Sequence, residues 1–150
     1  MIRTISHTWN IKPADYHASD IRKDIDAFLS NQGFDKKWRH RLLVIACELI
    51  ANACMHAFKA RHVIFAIKCI HYSYKSSVHM NIEDDSKILL KERYDNLAHA
   101  VQARRLRRPY QGIHGRGLHI IVLWTDRVQF SKKRTGGLKV STIKDILTKK

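Results

Sequence analysis

Apolar positions along the chain change period several times, and each change marks an element. In "ADYHASDIRKDIDAFLSNQGF", Ile21, Ile25, Phe28 and Leu29 fall at i, i+4, i+7 and i+8, one face of a helix that Gly33 ends. Asp35 is placed to cap a second helix, which runs to about Phe58 through the apolar stretch opening at Leu42. Residues 2–12 read as an edge strand that Pro13 closes off. "RHVIFAIKCI" and "SVHMNIE" are rich in strand formers, with "HYSYKS" as the hairpin connection between them, and Val78, Met80 and Ile82 alternate with polar partners. From Ile88 to Leu106 the pattern is helical and very basic. "GIHGRGLHIIVLW" is a glycine-rich turn opening a short apolar helix, and "DRVQFS", "KKRTGG" and "LKVSTIKDIL" form a closing hairpin. The order β-α-α-β-β-α-α-β-β predicts an α+β two-layer sandwich, a mixed or antiparallel sheet with helices on one face. With no repeat and no linker, 1–150 reads as a single domain.

One stretch breaks the apolar pattern. In "CELIANACMHAF", Glu48, Asn52 and His56 recur at every fourth position inside the second helix. Positions i and i+4 lie on one helix face, so Glu48 and Asn52 project from adjacent turns while Leu42, Ile45 and Leu49 serve the core. An amide oxygen is a hard ligand suited to Mg²⁺, and a carboxylate one turn earlier can accept a proton from an attacking hydroxyl. The same residues equally suit a helix edge facing water. In "HGRGLHII", Gly115 and Gly117 precede an apolar helix, where backbone N–H groups and the positive helix end can hold phosphate; an ordinary turn reads the same way.

Charge adds a partner of opposite sign. Lys and Arg number 28 against 13 Asp and Glu, a formal net charge of +15. That excess fits nucleic acid, nucleotide phosphates, an acidic membrane face or an acidic protein, and alone does not choose among them. The "ARRLRRP" cluster, Arg104 to Arg108, suits either closure over phosphates or a solvated basic face. No apolar run reaches the roughly 18 residues of a membrane span, and "MIRTISHTWN" lacks the apolar core of a secretory signal. The three cysteines, Cys47, Cys54 and Cys69, lack CxxC spacing and read as reduced packing residues in a cytoplasmic protein. Ten histidines are present, but none stands in HExxH or CxxC…HxxxH spacing, which argues against structural zinc. Trp38 and Trp124 read as core or partner-interface residues.

Together the boxes resemble the histidine-kinase-like (GHKL, Bergerat-fold) ATPases, and among them the RsbW-type anti-sigma-factor serine kinases. "ELIANACMHAF" is similar to that family's E-x-x-x-N-A-x-x-H-A box. "GRGLHIIVLWTDRVQF" is similar to its glycine box and following strand, and "RTGGLKV" to its closing turn. The resemblance covers nearly the whole chain. It implies that Glu48 is the general base, that Asn52 is the Mg²⁺ ligand, and that Asp84 of "NIEDDS" hydrogen-bonds the adenine amino group. It puts Gly115, Arg116, Gly117 and Leu118 on the phosphate side, and His56 near the nucleotide without an assigned role. Asp85 is the alternative to Asp84. Two departures stand on the base-recognising side: Ser86 and Ile88 occupy family glycine positions, and Leu138 replaces a threonine.

The function implied is an anti-sigma regulator that binds Mg-ATP and phosphorylates a serine or threonine of an antagonist protein, in partner switching that controls transcription. ATP and Mg²⁺ are the expected cofactors. A sigma factor and the antagonist, with acidic surfaces, are the expected partners, and the resemblance favours a homodimer. The departures at Ser86, Ile88 and Leu138 support an alternative, a protein-binding regulator on the same fold that does not use nucleotide. Nucleic-acid binding through Arg104, Arg105, Arg107 and Arg108 is a third reading, without an RNP, KH or zinc-finger pattern behind it.

Overall fold

The computed structural model describes residues 1–57, 59–86, 95, 98–99, 101–102 and 116–148. Its elements are β1 (Arg3–Ile11), α1 (Ala18–Ser30), α2 (Lys36–His56), β2 (Val63–His71), β3 (Lys75–Asp84), α3 (Arg116–Trp124), β4 (Arg127–Lys132) and β5 (Leu138–Leu147). Inside the basic segment read as helical, the described residues 95, 98–99 and 101–102 are helical. Ile88, Gly115 and the Arg104–Arg108 cluster lie outside the described residues.

The five strands form one sheet in the order β1-β2-β3-β5-β4. Every pairing is antiparallel, which settles the mixed-or-antiparallel expectation, and β1 is an edge strand as its sequence indicates. Register puts the apolar alternation of each strand on one face: Trp9 faces Phe65, Phe65 faces Ile82, Ile82 faces Val140, and Val140 faces Phe130. This row crosses the whole sheet and supplies the floor of the core. The helices supply the roof, through Ile25 and Leu29 of α1, Leu42, Ile45, Leu49 and Ile50 of α2, and Ile121 of α3. Trp9 stacks on Phe65 with centroids 5.7 Å apart and meets Phe28 of α1 edge-on at 6.0 Å, tying the edge strand to the helical layer.

Helix α2 starts where its cap dictates: the Asp35 carboxylate accepts the Trp38 N–H at 2.8 Å. It ends at His56, two residues short of the sequence expectation, with the Ala57 N–H donating to the Ala53 carbonyl. A bidentate pair from Arg39 to Asp26, at 2.8 and 2.7 Å, joins α2 to α1.

The topology gives the molecule two distinct ends. One carries the end of α2, the end of β3, the start of α3 and the β4–β5 turn. The other carries the start of α2, the β2–β3 turn, the end of α3 and the end of β5, where Lys75 pairs with Leu147. Among the described residues no helix is long and apolar enough to cross a membrane.

Candidate functional site

Helix α2 is buried on the sides that meet the sheet and the other helices, with Leu42, Ala46 and Ile50 at 0% exposure. What remains is a half-buried strip running through Arg41, Glu48 and Asn52 toward the exposed Met55. Placing Glu48 and Asn52 there follows from helical period alone: the apolar residues take the buried arc, and every fourth polar residue is left along its border. Neither side chain makes a hydrogen bond to another described residue.

The start of α3 closes over Glu48. A Cβ added at Gly117 would lie 2.8 Å from the Glu48 Cδ and 3.5 Å from its Cγ, so the carboxylate occupies the space a side chain there would need. Glycine at 117 permits this close approach without moving the carboxylate. The contact also sets an acid beside the positive end of α3, a favourable arrangement. Leu118 turns inward and is 8% exposed, a packing residue through which α3 is anchored. Arg116 opens the helix.

Asp84 ends β3 and is 1% exposed. Its Oδ1 accepts the Ser86 N–H at 3.0 Å, and its main-chain oxygen accepts Lys133 Nζ at 3.1 Å. The β4–β5 turn packs directly on it: a Cβ at Gly137, whose φ is +84°, would lie 2.7 Å from Asp84 Oδ1 and 3.1 Å from its carbonyl carbon. Asp85 behaves differently. It points away, and its Oδ1 accepts the N–H groups of Arg61 at 2.7 Å and His62 at 2.9 Å. Burial raises its carboxyl, but those two donors outweigh the effect and hold it below the usual range. Of the two adjacent acids, Asp85 fastens the α2–β2 loop and Asp84 alone faces the interior beside the closing turn.

Ser86 and Leu138 are both enclosed, at 0% and 1% exposure, and Leu138 joins the main core. The residues standing where the resemblance expects a glycine and a threonine are thus built into the packing around Asp84.

Several neighbours were not picked out as site residues from the sequence. Tyr16, after the 3-10 turn Pro13–Asp15, packs against the core beside this helix; burial pushes its phenol up, and Cys47, Cys54 and Glu48 add to that. Burial also raises the Cys47 thiol, opposed by Arg22 beside it. Lys133 and Gly137 belong to the "KKRTGG" turn, whose double glycine signals a special backbone but not the acid it would meet.

The donor set fits a nucleotide with a divalent cation. Asn52 offers one hard oxygen beside a carboxylate, Gly117 lets backbone come close, and the acid-and-glycine pair at Asp84 and Gly137 stands at the same end. Among the described residues no three His, Cys, Asp or Glu side chains gather as a metal site. A cation held at Asn52 therefore needs phosphate oxygens and water to complete its shell.

Comparison with curated proteins finds no match. Comparison with family models matches residues 11–144 to the histidine kinase-like ATPase domain, a span that runs from the end of β1 into β5 and takes in Glu48, Asn52, Asp84 and Gly117. With its antiparallel sheet, its helical layer and nearly its whole length inside that match, the chain belongs to the histidine kinase-like ATPase family.

Proposed function

We propose that this protein is an RsbW-type anti-sigma regulator, a kinase that uses Mg-ATP to phosphorylate a serine or threonine of an antagonist protein. The observation that carries the reading is the seat of the Glu48 carboxylate against Gly117, which joins the acid-amide helix to the glycine-box helix. In the transfer, the acceptor hydroxyl oxygen attacks the γ-phosphorus, the bond to the β-phosphate oxygen breaks, and ADP leaves. Glu48 takes the hydroxyl proton, and the backbone around Gly117 holds the phosphates close to it. Mg²⁺, held through Asn52, would offset phosphate charge. Most of the rate gain comes from positioning.

Labelled ATP mixed with candidate antagonists tests the reading. Transfer should occur with the wild type and fall by about a hundredfold or more in Glu48→Gln, with ATP affinity kept. An equally active Glu48→Gln protein sinks the assignment.

A second reading is favoured by one observation, the complete enclosure of Ser86 and Leu138 around Asp84. In it the chain is a protein-binding regulator that no longer uses nucleotide. Partner binding would then be indifferent to ATP and to Asn52→Ala.

A further inference from the structure

Helices α2 and α3 run antiparallel. Glu48 abuts Gly117 at one end of the pair, and the Arg41 guanidinium lies over the Trp124 ring at the other, about two turns or 10 Å away. The Arg41 guanidinium lies over two indoles, its Cζ 5.1 Å from the Trp38 centroid and 5.4 Å from that of Trp124. Lys144 Nζ lies over Trp38 at 4.9 Å, and Asp126 already binds that ammonium at 3.0 Å. Arg41 is different: half-buried, it has no hydrogen bond and no ion pair among the described residues.

We propose that this end of the molecule is a docking surface for an acidic segment of a partner protein, with Arg41 as its anchor. Contact with two rings restrains the guanidinium, and its N–H groups have no hydrogen-bond partner among the described residues, so less order is lost when a carboxylate binds. Apolar anchors stand at the same end: Leu123 at 59% exposure beside Trp124, and Tyr74 at 60% in the β2–β3 turn. Arginine, tryptophan and tyrosine with an exposed leucine form the composition of a protein hot spot rather than of a phosphate-reading surface. The net charge of +15 steers an acidic partner toward it. None of this depends on nucleotide use.

Fluorescence anisotropy with a fluorescein-labelled peptide of glutamates interspersed with leucine tests the proposal. The full-length wild type should bind it in a salt-dependent manner. Arg41→Gln should weaken binding about tenfold or more, and Leu123→Ser about threefold. Lys68→Gln, on the opposite face of the sheet, should leave it unchanged. Leu123 is exposed, so its variant keeps the test valid even if Arg41→Gln fails to fold. Any of four results overturns the proposal: no binding by the wild type, wild-type binding by both Arg41→Gln and Leu123→Ser, an equal loss in Lys68→Gln, or displacement of the peptide by an oligonucleotide that itself depends on Arg41.

Discussion

The Glu48 carboxylate fills the volume in which a side chain at position 117 would sit. Two stretches far apart in the chain are thereby locked into one site, and the lock depends on a missing methyl group. Alanine at 117 gains helix propensity, roughly 1 kcal/mol over glycine. The atoms it would meet belong to the flexible end of Glu48, which can move. Gly117→Ala should therefore melt within about 1 kcal/mol of wild type while displacing the carboxylate by an ångström or more. On the proposed function, phosphoryl transfer then falls on the order of a hundredfold. Parallel thermal melts and transfer assays check this; wild-type transfer by the variant contradicts the role given to the contact.

Gly137 makes the opposite prediction. Its φ is +84°, and the atoms its Cβ would meet include the Asp84 backbone, which cannot swing aside. Gly33 has a similar φ, +76°, with nothing within 4 Å of an added Cβ. Gly33→Ala should cost about 1 kcal/mol from backbone strain alone. Gly137→Ala should cost clearly more, about 2–4 kcal/mol, because the closing turn must lift off Asp84. Denaturant unfolding of both variants measures the difference, and equal losses would show that the turn does not bear on Asp84.

Acid should destabilise the fold in two stages. Burial holds the His71 and His79 rings below their usual range, with Arg3 and Lys68 respectively adding to it and Asp145 partly opposing it at His79. The unfolded chain then binds protons that the native state refuses, so stability is lost as pH falls below about 6.5. Hydrogen bonds from Arg39 to Asp26 and from Ser77 and Lys75 to Asp145 hold those carboxyls down. Their contribution is present above about pH 4 and disappears below it. A melting profile against pH should show both stages, and replacing His71 and His79 by Gln should remove the first. At the alkaline side, burial pushes Cys69 up to about 12, so its thiol should resist modification at pH 8 until the protein unfolds.

Much of the fold was legible because the signals are local. The Asp35 cap, the Val78–Met80–Ile82 alternation and the break at Pro13 each act within a few residues, and the structure uses all three. Glu48 and Asn52 were legible for the same reason, since helical period alone puts them on one face. The preference for Asp84 over Asp85 was legible too, since Asp84 continues the Val78–Met80–Ile82 alternation; hidden were the β4–β5 turn that covers Asp84 and the Arg61–His62 backbone that claims Asp85. The contact of Arg41 with two indoles was hidden as well. Trp38 and Trp124 lie on different helices, and net charge says nothing about which cation two rings will hold.

On the proposed function, the polar strip on α2 holds a nucleotide through magnesium. Titration calorimetry of the metal-stripped protein with ATP, with and without Mg²⁺ and repeated for Asn52→Ala, tests it most directly. ATP should bind saturably, need Mg²⁺ to do so, and fail to bind Asn52→Ala. Absence of binding at millimolar ATP, or equal binding by the variant, would contradict it.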